Sequence, residues 1–170
     1  ADIIKMANMA QLVNVIAPIF AEEKGMFKQT IYYPLELFSK YMHGTALDVF
    51  VSCDTYDTPV FSIGLGELTT QQKNVPYLDV SASCKDNEVI ISVVNRHKDQ
   101  PVKTDIICQT GQFAGPVRVF EVNGPDIKSV NDFGSENVRT VIKPDIQAKG
   151  TNLTYSFPPH SLTMLIAKIK

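Results

Sequence analysis

From Ala46 onward, apolar and polar positions alternate in short runs, the pattern of half-buried strands. Eight segments carry it: Leu47–Ser52, Leu78–Ser83, Glu88–Asn95, Val102–Gln109, Val117–Val122, Val138–Lys143, Leu153–Phe157 and Leu162–Ile169. Clusters of Asn, Asp, Gly and Pro separate them, such as Lys85-Asp86-Asn87 and Lys98-Asp99-Gln100-Pro101, which predicts hairpins and an antiparallel arrangement. Val89, Ile91 and Val93 alternate with Ile90, Ser92 and Val94, so this strand is apolar on nearly both faces and is expected at the centre of a sheet. Val102-Lys103-Thr104-Asp105 reads as a half-exposed strand. Two sheets packed face to face follow. Residues 54–76 lack a clean period and are expected to form a surface excursion or functional loop.

Before Gly44 the pattern differs. Leu37, Phe38 and Tyr41 recur at helical spacing within Tyr33–His43, with Pro34 near the start and Gly44 after the end, which predicts a helix. Ile3–Val15 fits either a strand over Ile3–Met9 followed by a helical turn, or a continuous helix. The change of character places a boundary near Gly44.

Composition adds exclusions. The chain has 170 residues, 44% hydrophobic and 20% charged, ordinary values for one folded domain. A formal charge of −2 without a clustered basic face argues against nucleic acid as a partner. The apolar stretch near Val13–Phe20 is too short for a membrane span and is interrupted by Asn14 and Pro18. Cys53, Cys84 and Cys108 have neither zinc-ligand nor disulfide-framework spacing, so packed free thiols are expected. The chain begins Ala-Asp without a signal-peptide pattern, and we expect it to be a fragment cut from a longer protein. Localisation stays open, with a cytoplasmic site favoured over a periplasmic or secreted one.

Several residues carry candidate chemistry. Glu22 and Glu23 precede Lys24-Gly25 and read as a solvated loop, while Glu36 faces outward on the helix. Asp54 and Asp57 read as turn residues, since calcium would need several more oxygen ligands. His43, His97 and His160 are spaced for neither zinc nor a triad, and Gly64-Leu65-Gly66 lacks the strand-to-helix setting of a phosphate loop. Asn152-Leu153-Thr154 matches a glycosylation acceptor triplet, a common chance pattern. These residues point to neither a cofactor nor a metal.

An ordered series of blocks is more specific. Met6-Ala7-Asn8-Met9-Ala10-Gln11-Leu12-Val13-Asn14-Val15-Ile16-Ala17-Pro18-Ile19, Gln29-Thr30-Ile31-Tyr32-Tyr33-Pro34, Phe38-Ser39-Lys40-Tyr41, Gly44-Thr45-Ala46-Leu47-Asp48-Val49, Val75-Pro76-Tyr77-Leu78-Asp79-Val80-Ser81-Ala82, Val94-Asn95-Arg96-His97 and Pro159-His160-Ser161 resemble successive signatures of glycoside hydrolase family 51 α-L-arabinofuranosidases. The resemblance implies a mainly β fold, an antiparallel jelly-roll sandwich over residues 45–170, preceded over residues 1–44 by the last strand and helix of a (β/α)8 barrel. It implies retaining hydrolysis by two glutamates on barrel strands four and seven, upstream of this chain, and hence an accessory fragment that is inactive alone.

It also implies arabinofuranosyl oligosaccharides as substrates of a parent that forms a homo-oligomer. Gln11 matches a glutamine that the family places near the arabinose, and Asn14 is a second substrate-binding candidate. Gln11 lies where the eighth strand would end, at the face where barrels gather their active sites; bracing the following turn is the competing role for its amide. Two other readings stand beside this one. A non-catalytic carbohydrate-binding module would need exposed aromatics, and Trp is absent; a plain interaction sandwich needs no sugar contact.

Overall fold

The computed structural model describes residues 6, 8–62 and 69–170. After an irregular approach the chain forms a hairpin of β1 (Ile19–Glu22) and β2 (Gly25–Lys28), then helix α1 (Tyr32–Tyr41). Of the alternatives for Ile3–Val15, a continuous helix through Val15 is not formed, since the described residues 8–15 are irregular, whereas the strand over Ile3–Met9 falls mostly outside the described residues. Helix α1 forms because Tyr33 and Leu37, four residues apart, both bury, while Leu35, Glu36, Ser39 and Lys40 face out. Pro34 sits in the first turn, where an intrahelical N–H is not needed, and Lys40 lies in the last turn, where the helix dipole favours a cation.

After β3 (Thr45–Ala46) comes an excursion whose described residues form four short strands, β4 (Thr55–Tyr56), β5 (Phe61–Ser62), β6 (Thr69–Thr70) and β7 (Val75–Pro76). Within it β4 pairs with β7 and β5 with β6. The long strands follow: β8 (Leu78–Lys85), β9 (Glu88–Asn95), β10 (Val102–Ile107) and β11 (Phe113–Asn123). A short hairpin of β12 (Asn131–Asp132) and β13 (Ser135–Glu136) leads to β14 (Arg139–Gln147), β15 (Asn152–Phe157) and β16 (Ser161–Ile169).

The main sheet has six antiparallel strands in the order β14-β11-β16-β9-β8-β3, and β10 pairs with β15 as a separate ribbon. As the alternation predicts, β9 lies inside the sheet, with Val89, Ile91 and Val93 toward one core and Ile90 toward the other. The first core lies between sheet and ribbon, where Leu78, Val117, Val119 and Leu165 meet Leu153 and Phe157. The second lies on the opposite face, where Tyr33 and Leu37 of α1 cover Ile90, Phe120, Val122, Met164 and Ile166. Each fully buried Leu or Phe contributes about 1.5–3 kcal/mol by leaving water, so both layers are needed to stabilise the sheet. The ribbon strand β10 alternates as expected, with Lys103, Asp105 and Ile107 exposed.

Besides shifts of one or two residues at the ends of α1, β8, β10, β15 and β16, three larger differences from the sequence expectation have physical causes. The segment Leu47–Ser52 is no strand: the ladder stops at Ala46, followed only by the bond from Leu47 N to Ala82 O at 2.9 Å. Val51 and Cys53 still turn inward against the first core, so the alternation reported side-chain burial rather than strand pairing. Strand β11 begins at Phe113 rather than Val117, because the Gly115-Pro116 break falls between Ala114 and Arg118, where the ladder with β16 shifts register. Strand β14 runs past Pro144 because it is the sheet's edge, and a register shift between Val117 and Val119 leaves that proline out of the ladder.

The described parts of the excursion, residues 54–62 and 69–76, are tied together by their own polar groups. Asp57 Oδ1 accepts from Asn74 N at 2.9 Å, and Asp54 O accepts from Tyr77 N at 3.0 Å. Tyr56, Tyr77 and His97 then stack in series, with ring centroids 4.9 and 4.6 Å apart, and tie the excursion to the end of β9.

Candidate functional site

The sequence candidates Gln11 and Asn14 lie on the irregular loop that enters β1. Gln11 is exposed with φ +62°, Asn14 has φ +64° and Val15 has φ +58°. Asparagine tolerates the left-handed region, but a β-branched valine there is strained, so other contacts must hold the turn. Asn14 supplies them. Its N–H donates to Ile19 O at 2.8 Å, its carbonyl accepts from Ala17 N at 3.0 Å, and its Oδ1 accepts from Ala21 N at 2.7 Å. Ala17 and Pro18 bury beneath this turn, while Leu12, Val15 and Ile16 remain well exposed.

The hairpin that follows builds an aromatic wall. Phe20 and Phe27 stack with centroids 5.3 Å apart, and Phe133 of the β12–β13 hairpin meets both edge-on, at 5.9 and 5.0 Å. Of the Glu22-Glu23-Lys24-Gly25 run expected to be a solvated loop, all four are exposed, but only Glu23 and Lys24 form the turn, since Glu22 ends β1 and Gly25 begins β2. Lys28 Nζ sits 4.4 Å from the centre of the Tyr32 ring. Asn131 fastens the two hairpins together, donating from Nδ2 to Lys28 O at 3.0 Å and Val138 O at 2.7 Å and accepting at Oδ1 from Val138 N at 2.8 Å.

A second tie is the Tyr33 hydroxyl, which donates to the Glu136 carboxylate. Burial, then the bond to Glu136 and the charge of Glu136, push the Tyr33 phenol well above its ordinary 10.0. A raised phenol pKa contributes stability that is complete below the unfolded value and is lost as pH rises through the folded one. Alkaline unfolding above about pH 10 is therefore expected to steepen with pH, and Tyr33→Phe to flatten that slope while costing about 1–2 kcal/mol at neutral pH. Urea midpoints measured between pH 8 and pH 11 (chosen on the order of the phenol's own range) check both effects.

Asp132 accepts from Gly134 N at 2.7 Å and from Ser135 Oγ at 3.1 Å, and these bonds hold its carboxyl below the usual range. Asn131, Phe133 and Glu136 were not singled out from sequence. The Asn-Asp-Phe-Gly-Ser run carries a turn signal, but nothing local says that Tyr33 and Lys28 pack against it.

Two of the three histidines meet in space. His160 N donates to His97 O at 2.9 Å, and His97 Nδ1 accepts from Asp99 N at 3.2 Å and Gln100 N at 2.9 Å. They shape a chain corner, and His43 lies exposed beyond α1. Cys53, Cys84 and Cys108 are free and partly buried against the first core. Among the described residues no group of three or more His, Cys, Asp or Glu could hold a metal ion, and no helix is long and apolar enough to cross a membrane.

The family model described as the α-L-arabinofuranosidase C-terminal domain matches residues 1–161. This chain belongs to that family. A similar relative, named probable α-L-arabinofuranosidase C from Aspergillus clavatus, is 40% identical over 161 residues, covering 94% of the chain and 30% of the relative. An intracellular exo-α-(1→5)-L-arabinofuranosidase from Halalkalibacterium halodurans is 38% identical over 118 residues, 68% of the chain and 21% of the relative. Among solved structures, the arabinose complex of the Thermotoga maritima α-L-arabinofuranosidase superposes with a TM-score of 0.86 at 25% identity, over 99% of the chain and 35% of that protein. The family member described here thus spans about a third of the length of the curated relatives it matches. Its antiparallel sandwich is the fold of their C-terminal domain.

Proposed function

We propose that this chain is the C-terminal part of an exo-acting, retaining α-L-arabinofuranosidase that removes terminal arabinofuranosyl residues from arabinan or arabinoxylan. The carrying observation is the family match over residues 1–161, in a chain that spans 30% of a relative named arabinofuranosidase. In this reading residues 1–44 are the eighth strand and helix of a (β/α)8 barrel, and residues 45–170 are the sandwich that braces it. A retaining glycosidase needs two carboxyl groups about 5 Å apart, one with a raised pKa, across the sugar. Both belong to the upstream barrel, and the chain's role is accessory. The exposed Leu12, Val15 and Ile16 support this reading, since contiguous apolar side chains of this size normally meet a partner surface. The parent is proposed to assemble as a homo-oligomer.

Gln11 and Asn14 are the proposed substrate-side residues. The exposed Gln11 amide can both donate to and accept from sugar hydroxyls, and Asn14 holds the left-handed turn that presents it. Gln11→Ala in the full-length parent is expected to lower kcat/KM on an aryl arabinofuranoside by about 10- to 100-fold, the range of one or two lost hydrogen bonds. Unchanged kcat/KM would remove Gln11 from the site. Turnover by the 170-residue chain itself would overturn the accessory reading.

A further inference from the structure

A cavity of about 420 Å³ opens between β2 and the β12–β13 hairpin, and its lining combines the apolar Met26, Phe27 and Phe133 with the polar Lys28, Asp132 and Ser135. We infer that this cavity is a sugar-binding subsite that holds a neutral arabinofuranosyl unit of an oligosaccharide distal to the bond being cleaved.

The volume lies in the range of small-ligand sites, roughly 300–1,000 Å³. This mixed lining suits a furanose ring, which has C–H edges for an aromatic surface and hydroxyls for hydrogen-bonding groups. Phe133 is 45% exposed and Met26 57% exposed, so apolar surface is open to a ligand. The Phe133 ring is also fixed, because Phe20 and Phe27 pack edge-on against it, and a fixed ring loses little entropy on stacking. Asp132 uses Oδ1 for Gly134 and Ser135, which leaves Oδ2 for a hydroxyl donor. Glu136 also lines the cavity, so the lining carries one ammonium and two carboxylates, a net negative set that disfavours a uronate or a phosphate. The substrate class rests on the functional reading above.

The test is titration of the 170-residue chain with α-1,5-linked arabinotriose, followed by amide NMR, with maltotriose as control. Saturable shifts confined to residues 26–28 and 131–136 are expected, with none from maltotriose. Phe133→Ala is expected to weaken binding about tenfold. Asp132→Asn keeps the internal turn and removes the charge, and it is expected to weaken binding about threefold. Absence of saturable shifts, equal shifts with maltotriose, or wild-type binding by both variants would overturn the subsite. Hydrolysis of an aryl arabinofuranoside by the full-length parent separates the two readings. Hydrolysis without arabinotriose binding to the chain sinks only the subsite; binding without hydrolysis upholds the subsite and sinks the enzymatic reading.

Discussion

Asn95→Ala is expected to destabilise the protein by about 4 kcal/mol, near the upper end for a single substitution. Asn95 is 1% exposed at the end of β9, and its Nδ2 faces three carbonyl oxygens: Gln100 at 3.1 Å, Phe157 at 3.0 Å and Pro158 at 2.9 Å. An amide nitrogen has two hydrogens, so one contact is shared. On its other side Oδ1 accepts from His97 N at 2.9 Å. Alanine would strand these groups where water reaches them poorly, and each buried orphan costs about 1–3 kcal/mol. Asn95→Asp tests the direction of the bonds, because it turns an acceptor toward the same three carbonyls. We expect it to be at least as damaging near neutral pH. For a chain of this size the loss corresponds to a Tm drop of about 10 °C. A change of under about 1 kcal/mol in the urea midpoint would show that the corner does not depend on this side chain.

Gly44→Ala is expected to cost about 3–4 kcal/mol for two compounding reasons. Its φ is +95°, a conformation that side-chain-bearing residues rarely adopt, and a Cβ there would lie 2.3 Å from Cys84 O and 2.9 Å from Cys84 C. The obstacle is backbone of β8, so no rotamer change relieves it. Relief would require β3 to move off the sheet, where Thr45 pairs with Cys84. Gly134→Ala is the matched control, since its nearest neighbour would be Asp132 Oδ1 at an ordinary 3.5 Å; it is expected to change stability by less than about 1 kcal/mol. Equal urea midpoints for the two variants would refute the close-approach argument.

Gly44 also illustrates how far the sequence could be read. Its place after the Tyr33–His43 pattern marks a helix end, and the structure ends α1 two residues earlier than that pattern, at Tyr41. That the same glycine must pass against β8 depends on a residue 40 positions later, Cys84, which no local pattern indicates. Strand β9 was legible over its full length because its apolar positions fill both faces, the mark of a central strand. Leu47–Ser52 was not, because inward-facing side chains at Val51 and Cys53 produce the same alternation whether or not the backbone joins a ladder.

The candidate site divides in the same way. Gln11 and Asn14 came from a block of residues in sequence, but the brace from Asn14 Oδ1 to Ala21 N became visible only when the loop was folded onto β1. The aromatic cavity was not legible at all. Its parts lie on two hairpins that Lys28 and Asn131 join across 103 residues.

The sequence by itself determined the succession of one helix and many short strands, the central position of β9, and the family, because these rest on local periodicity and on ordered blocks of residues. Only the tertiary structure decided which strand edges pair, that α1 covers the second face of the sheet, and that β2 and the β12–β13 hairpin enclose a cavity. The physical reason is that periodicity records which side chains leave water. Which surfaces they meet is set by long-range packing of both cores at once.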